Sequence, residues 1–136
     1  MEEPQQIRQT LSKAERLHGH NAINTLFANG KSFYIHPFKV VFVDRKAEEG
    51  GFGVRVLISV SKKKFKNAVD RNRIKRLIRE AWRLNKQPII DSSSSGYRPV
   101  DIALIYTGQQ KPEFILIQKK IKAIIKRLIQ DYEVAD

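Results

Sequence analysis

Cysteine is absent from this chain of 136 residues, and the chain also lacks long apolar runs. Without cysteine, the sequence excludes both a disulfide framework and a zinc site with cysteine ligands. No apolar run approaches the roughly 18 residues that a membrane-spanning helix needs. The opening residues MEEPQQIRQT lack the basic and apolar regions of a secretory signal peptide. We therefore expect a cytoplasmic protein without a membrane partner.

Acidic residues are also scarce relative to basic ones, and this imbalance narrows the choice of partners. The chain has 26 Lys and Arg residues against 14 Asp and Glu residues, which gives a net charge of +12. A surface of this kind repels itself and attracts polyanions, among which RNA and DNA are common. Because 41% of the residues are hydrophobic, the chain can still form a folded core.

Hydrophobic periodicity divides the chain into six regular elements. Apolar residues recur at helical spacing in three segments, and β-branched or aromatic residues dominate three others. The predicted elements are a helix within residues 11–29, strands at 32–44 and 52–60, a helix at 69–83, a strand at 100–108 and a helix at 111–133.

Two stretches are predicted to be irregular. Residues 1–10 are polar, and we expect them to form a disordered tail ahead of a single domain at residues 11–133. The segment QPIIDSSSSGYRP at residues 87–99 contains two prolines, four consecutive serines and a glycine. This composition predicts a loop.

The element order predicts an α+β fold, a two-layer α/β sandwich with a small, mostly antiparallel sheet. The order is α-β-β-α-β-α with room for one more short strand. Helices are expected on one sheet face, which leaves the other face partly open. The first two strands should pair as a hairpin, because a short polar turn joins them. The later strand–helix–strand segment is a candidate βαβ unit, and such crossovers are usually right-handed.

The helix VDRNRIKRLIREAWR at residues 69–83 combines an apolar side with a cationic side. Asp70 is expected to cap its N-terminus. The apolar side, predicted to face the core, consists of Ile74, Leu77, Ile78, Ala81 and Trp82. The cationic side consists of Arg71, Asn72, Lys75, Arg76, Arg79 and Arg83.

This helix and the loop before it carry most of the charge of the chain. Residues 61–83 include ten cationic and two acidic residues, a net charge of +8 out of +12. Like charges four residues apart destabilise an isolated helix by a few tenths of a kcal/mol per pair. An anionic partner would offset this repulsion, so the pattern favours a nucleic-acid interface over a solvated helix face.

The segment SVSKKKFKNAVDRNRIKRLIREAWR at residues 59–83 resembles the signature of the bacterial ribonuclease P protein component. That family carries an Arg-Asn-Arg motif on a helix, after a loop that bears lysines. The resemblance extends over residues 11–130, approximately, and implies that residues 11–133 form an RNA-binding domain. It also implies a left-handed βαβ crossover, in contrast to the general rule.

The resemblance implies a role beside a catalytic RNA. In this family, the protein and the RNA together cleave the 5′ leader from precursor tRNA. The RNA carries the active site and holds most of the Mg²⁺. The protein binds the RNA, contacts the leader and favours metal binding. No catalytic residue, and no metal bound by the protein alone, is therefore expected.

Two sets of residues are assigned by this resemblance. The set expected to contact RNA is Lys62, Lys63, Lys64, Lys66, Arg71, Asn72, Arg73, Lys75, Arg76, Arg79 and Arg83. The set expected to line a groove for the leader, between the first helix and the open sheet face, is Ile23, Phe27, Phe38, Lys39, Val40 and Phe42. The family often has an aromatic residue at the position of Ile23, which leaves Phe27 as the platform for base stacking.

Other readings of the sequence stay open at this point. The three histidines, His18, His20 and His36, do not form a pattern that indicates catalysis or metal binding. The basic helix alone would also fit a non-enzymatic RNA-binding module that associates with the ribosome or acts as an RNA chaperone. A DNA-binding regulator fits less well, because a helix-turn-helix motif needs two helices joined by a short turn.

Overall fold

The structure is a computed structural model that describes residue 11 and residues 13–45, 53–96 and 99–134. The predicted tail at residues 1–10 lies outside these ranges. After a 3₁₀ turn at Lys13–Glu15, the elements are α1 (His20–Asn29), β1 (Lys31–Ile35), β2 (Phe38–Asp44), β3 (Val54–Val60), α2 (Ala68–Asn85), α3 (Gln87–Gly96), β4 (Val100–Tyr106) and α4 (Phe114–Val134).

The four strands form one mixed sheet with the spatial order β1-β2-β4-β3. β2 pairs with β1 and β4 in antiparallel fashion, whereas β3 and β4 are parallel. The α+β fold and the βαβ unit formed by β3, α2 and β4 are therefore confirmed, and the hand of this crossover stays a prediction. β4 is central, and its residues Val100 to Leu104 are buried, as its apolar sequence indicated.

The segment predicted as one strand at residues 32–44 forms two strands. Pro37 lies in the turn between β1 and β2, where its lack of an amide hydrogen costs no ladder hydrogen bond. Its carbonyl oxygen accepts a hydrogen bond of 2.8 Å from the amide of Thr107. The predicted hairpin between β2 and β3 is wrong, because β4 lies between these strands.

The loop predicted at residues 87–99 is wrong over most of its length, because α3 occupies Gln87–Gly96. Pro88 stands in the first helical turn, where its missing amide hydrogen is not needed. Ile89 anchors this helix to the core, since its side chain is fully buried. Tertiary burial therefore overrides the low helix propensity of the serines.

Helices cover both faces of the sheet, so the expectation of helices on one face alone is wrong. α2 and α4 cover the first face, and their residues Ile74, Ile78 and Ile121 belong to the main core. α1 covers part of the second face, where Leu26 packs with Val41. None of the helices in the described ranges combines the length and apolarity needed to cross a membrane.

Two glycines fix the position of α1 against the second face. Gly19 precedes the helix with φ of 99°, a conformation that side chains disfavour. Gly30 follows it, and a Cβ atom there would lie 2.7 Å from Cγ1 of Val41. Glycine therefore allows the end of α1 to approach β2 closely.

The segment before α1 joins the free edge of β3 to the end of α2. The amide of Leu17 donates a hydrogen bond of 2.9 Å to the carbonyl oxygen of Val56 in β3. Two residues earlier, the carboxylate of Glu15 forms an ion pair with Lys86, just beyond α2, and both residues are buried. This segment thereby protects the β3 edge from pairing with another chain.

Candidate nucleic-acid interface

The N-terminus of α2 is capped by Asn67. Its side-chain oxygen accepts a hydrogen bond of 2.9 Å from the amide of Val69. The prediction that Asp70 caps the helix is therefore wrong, because the helix begins earlier than the charge pattern suggested. Asp70 lies in the first turn and forms an ion pair of 3.0 Å with Lys111.

The division of α2 into an apolar and a cationic side is confirmed. Ile74, Ile78, Ala81 and Trp82 are at most 1% exposed, and Leu77 is partly buried against the same core. Since side chains three and four positions apart share a helix face, burial of these residues directs the basic residues outward. The buried side thus fixes the orientation of the cationic side.

The middle of the cationic side is open to solvent. Its residues Asn72, Arg76 and Arg79 are exposed, and Lys75 is half-buried. Arg73, which lies next to this side on the helix surface, is exposed as well. Within the described part of the chain, Arg73, Arg76 and Arg79 form no ion pair with an acidic side chain. Their guanidinium groups therefore retain donors that can form bidentate contacts with phosphate.

Arg71 and Arg83, at the two ends of this side, have partners within the protein. The guanidinium of Arg71 donates to the carbonyl oxygens of Phe65 and Lys66, at 2.7 and 2.8 Å. Arg83 donates to the carboxylate of Glu80. This hydrogen bond lowers the pKa of Glu80 and raises the pKa of Arg83.

The lysines of the loop before α2 also differ from one another. Lys62, Lys63 and Lys66 are exposed. The ammonium group of Lys64 is also exposed, but it donates a hydrogen bond to the carbonyl oxygen of Thr107, after β4. The loop therefore presents several cations beside the N-terminal half of α2, and Lys64 links it to the sheet.

Three of the residues predicted to line the leader groove lie on the wrong face of the sheet. Phe38 and Val40 are fully buried in the main core, under α2 and α4. Phe42 packs on this core as well, with its ring centroid 6.0 Å from that of Phe33. Alternate residues of a strand point to opposite faces, and the prediction took the wrong alternate set.

The face beside α1 is formed by the other alternate set. Ile23 packs against this face, and Phe27, one turn later in α1, is 48% exposed. Lys39 also lies on this face, because it pairs with Ile105 of β4. The sheet residues that contribute apolar surface here, and that the sequence prediction missed, are Val41, Val43, Leu57, Ala103 and Ile105.

Asp101, which alternates in β4 onto the same face as Ala103 and Ile105, is held by two arginines. The carboxylate of Asp101 accepts hydrogen bonds of 2.8 and 2.7 Å from Arg55 on the neighbouring strand. Nε of Arg45 lies 2.8 Å from the same carboxylate. Across the described ranges, no three histidine or carboxylate side chains gather in a way that could hold a metal ion.

Comparison with known proteins gives a consistent result. The Ribonuclease P family matches residues 11–129 of this chain. A ribonuclease P protein component from Porphyromonas gingivalis is 36% identical over 118 residues, which cover 87% of this chain and 85% of that relative. Another, from Chlorobium phaeobacteroides, is 34% identical over 129 residues and covers 88% of both chains.

Solved structures agree with the sequence relatives. The RNase P protein of Staphylococcus aureus has a TM-score of 0.68 at 29% identity, covering 85% of this chain and 96% of that one. The RNase P protein of Thermotoga maritima has a TM-score of 0.63 at 28% identity, covering 83% and 96%. With the α+β fold and the lysine loop and basic helix in place, this chain belongs to the ribonuclease P protein family.

Proposed function

We propose that this protein assists a catalytic RNA in cleaving the 5′ leader from precursor tRNA. The observation that supports this proposal is the exposed cationic side of α2, whose opposite side is locked in the core. The family to which the chain belongs supports the same role. The partners in this proposal are therefore the catalytic RNA and the precursor tRNA.

The cationic side of α2, together with the adjacent Arg73, is proposed to bind the catalytic RNA. Arg73, Arg76 and Arg79 are exposed and have no acidic partner in the described ranges. A phosphate group that binds these guanidinium groups therefore displaces water and breaks no ion pair within the protein. Lys62, Lys63, Lys66, Asn72 and Lys75 extend this surface. Release of counterions from the RNA would then drive much of the binding free energy.

The face beside α1 is proposed to hold the leader. Phe27 offers an exposed ring on which a base can stack, and Val41 and Ile105 supply an apolar floor. Lys39 lies exposed on the same face and can contact a phosphate of the leader. A single strand would be held there by stacking and charge without sequence-specific hydrogen bonds.

The chemical step is proposed to take place in the RNA subunit. In line with the family to which the chain belongs, we assign the Mg²⁺ mainly to the RNA. The contribution of the protein is electrostatic and positional. By neutralising phosphates, its cations lower the repulsion between RNA strands and favour the binding of substrate and metal.

A cleavage assay at limiting Mg²⁺ tests this proposal. The protein is mixed with its cognate catalytic RNA and end-labelled precursor tRNA, and leader release is followed. We expect strong stimulation, which Arg73→Ala, Arg76→Ala and Arg79→Ala together abolish. The matched control removes three exposed lysines of α4, Lys119, Lys122 and Lys126, and should retain most of the stimulation.

The assay also separates this proposal from its alternative. If the unaltered protein does not stimulate cleavage by the cognate RNA, the role in leader removal is refuted. A non-enzymatic RNA-binding module, associated with the ribosome or acting as an RNA chaperone, would then be the better description. If the α4 control loses as much stimulation as the α2 variant, the effect reflects net charge, and α2 is not the specific surface.

A further inference from the structure

A cavity with a positively charged lining lies at one end of the sheet, beside the basic loop. It has a volume of about 920 Å³ and lies between the β1–β2 turn, the segment that joins β4 to α4, and the first turns of α4. The side chains that matter for its chemistry are Tyr34, His36, Lys64, Thr107, Lys111 and Lys120. Its size falls within the range of small-molecule sites in proteins.

Tyr34 presents a fixed aromatic ring to this cavity. Its side chain is 54% exposed, yet its hydroxyl lies 2.9 Å from both Nδ1 of His36 and Oγ1 of Thr107. Oγ1 of Thr107 donates to the carbonyl oxygen of Pro37, so the Tyr34 hydroxyl donates to Thr107 and accepts from His36. These bonds hold the ring in place before any ligand binds.

The cavity carries an excess of positive charge. Its lining includes three lysines, Lys64, Lys111 and Lys120, against one carboxylate, Glu113. Lys64 donates one hydrogen bond to Thr107, and Lys111 pairs with Asp70. An ammonium group has three donors, so both lysines retain hydrogen atoms for a phosphate oxygen.

The cavity is continuous with the proposed RNA-binding surface. Lys64 belongs to the basic loop that Arg71 holds, and Asp70 connects Lys111 to the first turn of α2. An exposed, fixed tyrosine beside several cations is the combination that binds unpaired nucleotides, through base stacking and phosphate contacts. A nucleotide within an RNA strand offers both a flat base and a phosphate. Few other cellular ligands combine these two groups within a larger polyanion.

We propose that this cavity binds one unpaired nucleotide of an RNA strand. The base stacks on the ring of Tyr34, and the phosphate lies among Lys64, Lys111 and Lys120. The identity of the strand rests on the proposed function, because both the catalytic RNA and the leader of precursor tRNA can supply such a nucleotide. Because Tyr34 pairs with Lys39 of β2, its ring lies on the same face of the sheet. Phe27 and the other α1 residues do not line the cavity, so it adds a contact to those described above.

The test is a titration of the ¹⁵N-labelled full chain with a single-stranded uridine oligonucleotide, followed by NMR. We expect the backbone amides of residues 107–111 to shift on binding. Tyr34→Leu should weaken this binding about 5- to 150-fold, because a stacked base contributes that much. Tyr34→Phe keeps the ring and should retain most of the affinity. Lys120→Ala should weaken the binding without removing the base contact.

Two outcomes overturn the proposal. One is that the amides of residues 107–111 do not move at saturating oligonucleotide. The other is that the Tyr34→Leu variant binds the oligonucleotide as tightly as the unaltered chain does. In that outcome, the amides near Val41, on the face beside α1, show the same shifts in both proteins. Because Tyr34 is largely exposed, the Leu variant should remain folded, and the fluorescence of buried Trp82 checks this.

Binding to the larger RNAs identifies the strand. If Tyr34→Leu loses affinity for the catalytic RNA alone, that RNA supplies the nucleotide. If the variant loses affinity only for precursor tRNA in the assembled complex, the leader supplies it. Unchanged affinity for both refutes the proposal. The oligonucleotide titration does not depend on cleavage, so loss of the proposed function would leave its result interpretable.

Discussion

The guanidinium of Arg71 donates a hydrogen bond of 2.7 Å to the carbonyl oxygen of Phe65, whose side chain is buried. The first arginine of the Arg-Asn-Arg motif therefore holds the loop that precedes its own helix. Arg73, two positions later, is exposed and forms no ion pair within the described ranges. The two arginines of one motif thus have different physical roles.

Replacement of Arg71 should lower stability, whereas replacement of Arg73 should not. Arg71→Ala removes two hydrogen bonds from a charged donor to the loop, so we expect the free energy of unfolding to fall by about 1–3 kcal/mol. Arg73→Ala should change it by less than about 0.5 kcal/mol. Urea unfolding followed by Trp82 fluorescence measures both. Equal losses in the two variants would contradict the assignment.

Removal of two exposed arginines should alter how RNA binding depends on salt. For Arg73→Ala with Arg76→Ala, each lost phosphate contact should reduce the slope of log K against log salt by about 0.7 to 0.9. Filter binding to the catalytic RNA over a range of KCl concentrations measures this slope. Lys122→Ala with Lys126→Ala on α4 is the matched control and should leave it unchanged. A slope that stays the same in the α2 variant would exclude direct phosphate contact.

Phe27→Ala should weaken the binding of precursor tRNA more than the binding of mature tRNA. If Phe27 stacks a leader base, the difference should be about 1–3 kcal/mol, because mature tRNA lacks the leader. Affinities of the assembled complex for the two substrates give this difference. Ile115→Ala, which truncates a 78% exposed apolar residue on α4, serves as the control. Equal weakening for both substrates would assign Phe27 a structural role.

Glu80 should make the free energy of unfolding depend weakly on pH in the acid range. Arg83 lowers the pKa of Glu80 below its ordinary value of 4.5, so the folded state favours the charged form. The resulting stabilisation is complete above the unfolded-state pKa and is lost as the pH falls through the lower folded-state pKa. We expect the wild type to lose stability relative to Glu80→Gln below about pH 4.5, and parallel unfolding curves of the two proteins would refute this.

The buried pair of Glu15 and Lys86 should be sensitive to removal of its carboxylate. Glu15→Ala leaves a buried ammonium without this partner, and we expect a loss of about 3–5 kcal/mol in unfolding free energy. Glu15→Leu with Lys86→Met replaces both charges by apolar groups and should recover most of it. Thermal or urea unfolding compares the two variants. A double variant as unstable as the single one would show that the charges themselves are needed.

Helical periodicity made α2 predictable. Ile74, Ile78 and Trp82 recur at a spacing that only one helix face satisfies, so both the core side and the cationic side followed from the sequence. Helical periodicity could not, however, predict the partners of Arg71 and Arg83 at the two ends of the cationic side. The contact of Arg71 with Phe65 depends on the path of the loop, and this path has no periodic signal.

The faces of β2 were not predictable in the same way. Phe38, Val40 and Phe42 alternate with Val41 and Val43, so both sides of this strand are apolar. Strand alternation then gives no basis to decide which set faces α2 and which faces α1. Sequence alone could also not give the strand order, because the pairing of β2 with β4 joins residues far apart in the chain. α3 was missed because its burial, and not its composition, stabilises it.

The central position of β4 affects how the chain can fold during synthesis. β4 pairs with both β2 and β3, yet it is the last strand to be made. Until Tyr106 has left the ribosome, β3 has no neighbouring strand in the sheet, and β2 lacks one of its two partner strands. Sheet closure therefore waits for a late segment, and the nascent chain carries unpaired strand edges that invite association with other chains.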